Sequence, residues 1–113
     1  MNKTITAVFY ATPSGSQPVR TWLKSLDSDI RKIIGEDLQA VEFRWPLGMP
    51  LVRKLEKNLW EVRSDITDGR IARVLFTVKR KDLYLLHGFI KKSQKTPKPD
   101  LELGIKRRNE VLK

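Results

Sequence analysis

The sequence predicts an α+β domain in which two N-terminal helices pack on a twisted antiparallel sheet, in the order β-α-α-β-β-β-α. Three observations predict it. Apolar residues recur at helical spacing between positions 18 and 45, alternate between 59 and 90, and return to helical spacing after residue 100. Proline, glycine and polar clusters fall where the period changes. A length of 113 residues allows one modest core, so residues 1–113 are read as a single domain.

Lys3–Tyr10 alternates and is rich in β-branched and aromatic residues, which predicts a strand, broken at Thr12–Gln17. Pro18 suits a first helical turn after Ser16 or Gln17, and Val19, Trp22, Leu23 and Leu26 follow at i, i+3, i+4 and i+7. A second helix starts from Asp27 or Ser28. Its stripe is Ile30, Ile33, Ile34, Leu38, Val41 and Trp45, with Arg31, Lys32, Glu36, Asp37 and Glu42 outside, and Pro46 to Pro50 end it. Leu51–Lys57 reads as either a loop or a short strand. Leu59–Ile66, Arg70–Val78 and Leu83–Ile90 read as three strands of a meander, joined by Thr67-Asp68-Gly69 and by a basic turn at Arg80-Lys81. Lys91–Pro99 is a polar, basic connection, and a closing helix from about Asp100 carries Leu101, Ile105, Arg108 and Leu112 on one side. Its acids lie early and its bases late, as the helix dipole favours. The first two helices are expected to cover one sheet face, leaving the other for a ligand, with Trp22, Trp45 and Trp60 in the core.

Charge narrows the function classes. The chain carries 23 Lys and Arg against 13 Asp and Glu, a formal charge of +10. Residues 1–52 hold 6 basic and 5 acidic side chains, whereas residues 79–113 hold 11 and 4. Clustered cations collect polyanions by releasing counterions, so nucleic acid leads as a partner, ahead of an acidic protein. The absence of cysteine excludes disulfides, thiolate nucleophiles and Cys-type metal sites. A lone histidine, His87, excludes a two-histidine nuclease, and the scattered carboxylates lack metal-ligand spacing, so no metal or cofactor is expected. There is no glycine-rich phosphate loop. No run approaches ~18 apolar residues, and Met1-Asn2-Lys3-Thr4-Ile5 lacks the order of a secretion signal, which predicts a soluble cytoplasmic protein away from membranes.

The first hairpin register follows from burial. A three-residue Thr67-Asp68-Gly69 loop, read as a type I turn with glycine in the left-handed position, pairs Ser64 with Ala72, Val62 with Val74 and Trp60 with Phe76 on one apolar face. A two-residue loop would mix Val74 and Phe76 with Arg63 and Glu61. The favoured register sets Arg63 opposite Arg73, with Glu61 two residues along. Two opposed arginines repel by roughly 0.2–1 kcal/mol. Either Glu61 or Asp65 relieves this as an ordinary ion pair, or the two guanidiniums form an anion site suited to a phosphodiester. A two-residue second turn would put Gly88 across from Arg73. His87 would then face the helices among Leu85, Phe89 and Val74, as a structural residue.

Leu59-Trp60-Glu61-Val62-Arg63, Arg73-Val74-Leu75-Phe76 and Leu85-Leu86-His87-Gly88-Phe89-Ile90-Lys91-Lys92-Ser93-Gln94-Lys95-Thr96-Pro97, followed by a basic helix, resemble the RelE/HigB superfamily of type II toxin–antitoxin toxins, in the branch related to a phage-derived protein. The resemblance implies a metal-independent endoribonuclease that cleaves mRNA on the ribosome and is silenced by a small helix-turn-helix antitoxin. It implies active-surface roles for Arg63, Arg73, Lys91 and Lys92. Gln94, Lys95 and Thr96 fill the matching loop, and Glu61 and Lys57 join them as expected RNA contacts. Where some RelE-like members have a lysine on the second strand this chain has Glu61, and its terminal helix has no match for their tyrosine.

In such a reaction the ribose 2′-hydroxyl attacks phosphorus and the 5′-oxygen leaves. Arg73 is expected to stabilise the phosphorane, Arg63 to orient the substrate, and Lys91 or Lys92 to serve the leaving group. Arginine, with a pKa above ~12, is no base, which leaves Glu61 or a lysine crowded by other cations. Two other readings stand beside this one: a non-catalytic RNA- or ribosome-binding module, and a ParE-like poison of DNA gyrase.

Overall fold

The alternating stretch that follows the second helix forms most of the sheet in the computed structural model, which describes residues 2–113. The fold is α+β. β1 (Thr6–Phe9), α1 (Pro18–Ser25) and α2 (Ser28–Arg44) are followed by β2 (Val52–Glu56), β3 (Leu59–Asp65), β4 (Ile71–Lys79), β5 (Asp82–Lys91) and α3 (Lys98–Leu112). The segment left open in the sequence, Leu51–Lys57, supplies β2. The last helix begins two residues before Asp100, because Pro97 and Pro99 sit at its start, where a missing N–H leaves no helical bond unmade.

The strands run in the order β1-β5-β4-β3-β2, and β1 pairs with β5 in parallel, so the sheet is mixed rather than wholly antiparallel. β1 is an edge strand with an outward backbone, and α2 covers it. The Ala7 N–H donates to the Glu42 carboxylate at 2.8 Å, and the Thr4 and Ile5 N–H groups donate to the Glu42 carbonyl. Glu42, expected outside, is therefore turned inward, where it satisfies donors that an edge strand would otherwise leave open.

Between β3 and β4 the pairs are the expected ones: Trp60 with Phe76, Val62 with Val74, Arg63 with Arg73 and Ser64 with Ala72. The connecting turn differs from type I, since Asp68 (φ 63) as well as Gly69 (φ 68) is left-handed. Val62, Ala72, Val74 and Phe76 face α1 and α2 over a core that includes Val19, Ile34, Leu38 and Val41. Trp45 meets Trp60 edge-on at 5.1 Å, and Trp60 stacks on Phe76 at 5.7 Å.

The second hairpin departs from the expectation at one residue. It leaves a two-residue turn with Lys79 opposite Asp82, but a bulge between the Leu75 and Phe76 pairs leaves Leu86 unmatched. Beyond it, every side chain of β5 changes face. Arg73 therefore lies across from Phe89, and Gly88 turns to the α1 side, where a Cβ would stand 2.3 Å from Trp22. His87 and Phe89 turn away from α1 and α2. They join Leu59, Leu75 and Leu86 in a second apolar layer that α3 covers through Leu101, Ile105 and Val111. The face expected to be open is thus mostly roofed by α3. Arg107 of α3 closes the bulge by donating to the Leu86 carbonyl at 2.8 Å.

Candidate nucleic-acid interface

On the α3 side of the sheet, the strand ends nearest residue 91 extend past the helix. There β2 supplies Arg53, β3 supplies Glu61 and Arg63, and β4 supplies Arg73, because alternation puts all four on one face. The segment 92–97 crosses above them.

Glu61 is at the centre, with 0% exposure. Its Oε1 lies 3.6 Å from Arg63 Nε and 3.9 Å from Arg73 Nε, and its Oε2 accepts a 2.6 Å hydrogen bond from Thr96 Oγ1. Of the two readings of the arginine pair, the ion pair is present, and it is buried rather than superficial. Arg73 also has 0% exposure; it donates to the Ser93 carbonyl and sits over the Phe89 ring at 5.9 Å. Its Nε and one terminal nitrogen have no hydrogen-bond partner, nor has Glu61 Oε1. Burial pushes the Arg73 guanidinium below its ordinary value; Glu61 opposes this shift, while Arg63 and Arg53 add to it. One carboxylate thus pairs with two guanidiniums, and with Arg53 close enough to act on Arg73 the cluster is left positive.

Arg63 and Arg53 reach the loop from beside it. Arg63 donates to the Gln94 side-chain oxygen at 2.8 Å, and Arg53 to the Gln94 carbonyl at 3.2 Å. Lys91, Lys92 and Lys95 are exposed, and among the described residues they make no ion pair or side-chain hydrogen bond. A cleft of about 190 Å³ is lined by Arg53, Lys54, Leu55, Lys95, Thr96 and Leu101.

Several expectations change here. Arg73, assigned to phosphate, is walled off by residues 93–96 and by Phe89. Glu61 and Thr96, expected to touch RNA, bind each other beneath the loop instead, both of them buried. Lys57 is in the β2–β3 turn, where its carbonyl accepts from Arg108 at 2.9 Å, four residues or about 13 Å of strand from Arg53. Arg63 and Gln94 do meet, Lys92 and Lys95 are exposed on the same loop, and Lys91 ends β5 just before it. Two participants were missed. Arg53 was hidden by the undecided Leu51–Lys57 segment, although its alternation with Leu55 could have placed it. Asp100 Oδ1 accepts from His87 Nε2 at 2.7 Å and fastens the start of α3 to β5 just after the loop. Among the described residues no group of three or more His, Asp or Glu side chains converges to hold a metal ion.

The fold and this surface define an α+β domain that presents free lysines on a backbone loop pinned across three strands. Residues 21–109 match the family model described as phage-derived protein Gp49-like (DUF891), and the chain belongs to that family. No curated protein matches it at a significant level. No helix among the described residues is long and apolar enough to cross a membrane.

Proposed function

We propose that the protein is the toxin of a type II toxin–antitoxin pair, of RelE/HigB kind, that cleaves mRNA on the ribosome without a metal and is held inactive by a small antitoxin. The observation that carries this reading is the pairing of Arg63 and Arg73 with one carboxylate, with Arg53 tied to the same loop and Lys91, Lys92 and Lys95 exposed along the strand end and loop that cross it, in a chain of the Gp49-like family. Preorganised cations of this kind stabilise charge that grows on phosphoryl oxygens, an effect often worth ~3–4 kcal/mol for one well-aimed group.

The chemistry assigned is attack of the 2′-oxygen on phosphorus with rupture of the P–O5′ bond, giving a 2′,3′-cyclic phosphate and a 5′-hydroxyl. Glu61 is too deeply covered to take the 2′ proton, which favours a loop lysine as base and a second lysine as acid toward the 5′-oxygen. Arg63, with its side chain 11% exposed and already oriented by Gln94, is the guanidinium placed for the phosphate. Arg73 supports the loop from below. Mapping transcript ends after induced expression tests the reading: the wild type creates new 5′ ends within translated regions, and Arg63→Ala suppresses them. Full cleavage by Arg63→Ala, or no new ends with the wild type, refutes it.

A further inference from the structure

The loop backbone and the loop lysines are treated differently by the fold. Ser93, Gln94 and Thr96 are each tied to the sheet: Ser93 to Arg73 of β4, Gln94 to Arg63 of β3 and Arg53 of β2, and Thr96 to Glu61 of β3. Lys91, Lys92 and Lys95, between and beside these anchors, are left free. The innermost tie is also the most buried, with Thr96 at 6% exposure against a carboxylate and a guanidinium at zero. A buried hydroxyl on a carboxylate that already balances two arginines leaves Glu61 one arrangement in which its charge is matched.

We infer that Glu61, Arg73 and Thr96 are positioning residues, a buried latch that sets the path of residues 93–96 and thereby the spacing of the three lysines. This rests on the RNA-cleaving reading for its effect on rate, but the latch itself is a property of the free protein. It acts through the loop and touches no substrate. Its loss therefore lowers the rate of the chemical step more than it lowers RNA affinity, since affinity follows the number of cations and rate follows their placement.

The test compares Thr96→Val, which keeps shape and removes the hydroxyl, with Thr96→Ser, which keeps the hydroxyl. Amide hydrogen exchange is read on the full chain at residues 93–96, and single-turnover cleavage and RNA binding are measured on programmed ribosomes. With Thr96→Val, exchange in the loop is expected to quicken and cleavage to slow by about tenfold each, the ratio that goes with one charge-assisted buried hydrogen bond. RNA affinity is expected to stay within about threefold, and Thr96→Ser to behave as the wild type in all three measurements. Unchanged loop exchange in Thr96→Val, or a Thr96→Ser variant as impaired as Thr96→Val, overturns the latch. Wild-type protein that never cleaves RNA counts against the function, while the exchange measurement still decides the latch.

Discussion

Removing the carboxylate at the centre of the cluster should expose how the fold tolerates buried charge. In Glu61→Leu, Arg73 loses the only carboxylate within 4 Å among the described residues, and is left with one backbone carbonyl and the face of the Phe89 ring. A buried charge stripped of its partner costs about 3–5 kcal/mol. With an unfolding entropy near 2.1 cal/mol/K per residue over 113 residues, this lowers Tm by about 13–21 °C. The double variant Glu61→Leu/Arg73→Met replaces both ions by apolar chains of similar size and should regain stability to within about 1 kcal/mol of the wild type. Arg73→Met alone costs less than Glu61→Leu, because Arg63 and Thr96 still satisfy the carboxylate. Urea denaturation followed by circular dichroism measures all four proteins, with equal m-values required for the comparison. A loss under about 1 kcal/mol in Glu61→Leu, or a double variant no more stable than it, would refute the account of the pair as buried and mutually dependent.

Arg63→Ala should reduce cleavage by about 10²–10³-fold and lower the thermal melt by less than Glu61→Leu does, since Arg73 and Thr96 still satisfy Glu61. Lys92→Ala should lower the slope of log affinity against log salt by about 0.7, the contribution of one phosphate contact to a single strand, as measured by RNA titration at several salt concentrations. Gly88→Ala drives a methyl group into Trp22, whose ring would be 2.3 Å from it, and should destabilise by about 1–3 kcal/mol with a shift in tryptophan emission. Burial, with the Glu110 carboxylate that its hydroxyl meets, pushes the Tyr10 phenol above its ordinary 10.0. The folded chain then holds that proton more tightly than the unfolded one, so the associated stability is complete below pH 10 and is lost as pH rises through the folded value. Tyr10→Phe should flatten the decline in Tm above pH 10.

The first hairpin was legible because two independent constraints agreed: a glycine-containing three-residue turn and a register that gathers Trp60, Val62, Val74 and Phe76 on one face. The second was not, because a bulge changes neither composition nor turn. With Leu86 unpaired, the alternation that placed His87 and Phe89 against α1 and α2 holds only as far as Leu85. The same bulge builds the apolar layer that calls for α3, so the error in one residue became an error about which face is open. In the candidate site, the sequence put Arg63 and Gln94 on one surface, where they meet, but read polarity as exposure. Nothing in a polar run such as Ser93-Gln94-Lys95-Thr96 shows that its threonine turns inward; that depends on Glu61 lying beneath it, 35 residues earlier in the chain.

The ties on this loop close chain segments of 20, 31, 35 and 41 residues. Long closures are entropically unfavourable until the strands they join have already paired, so the loop takes its shape last. A half-folded chain has the same lysines without their arrangement.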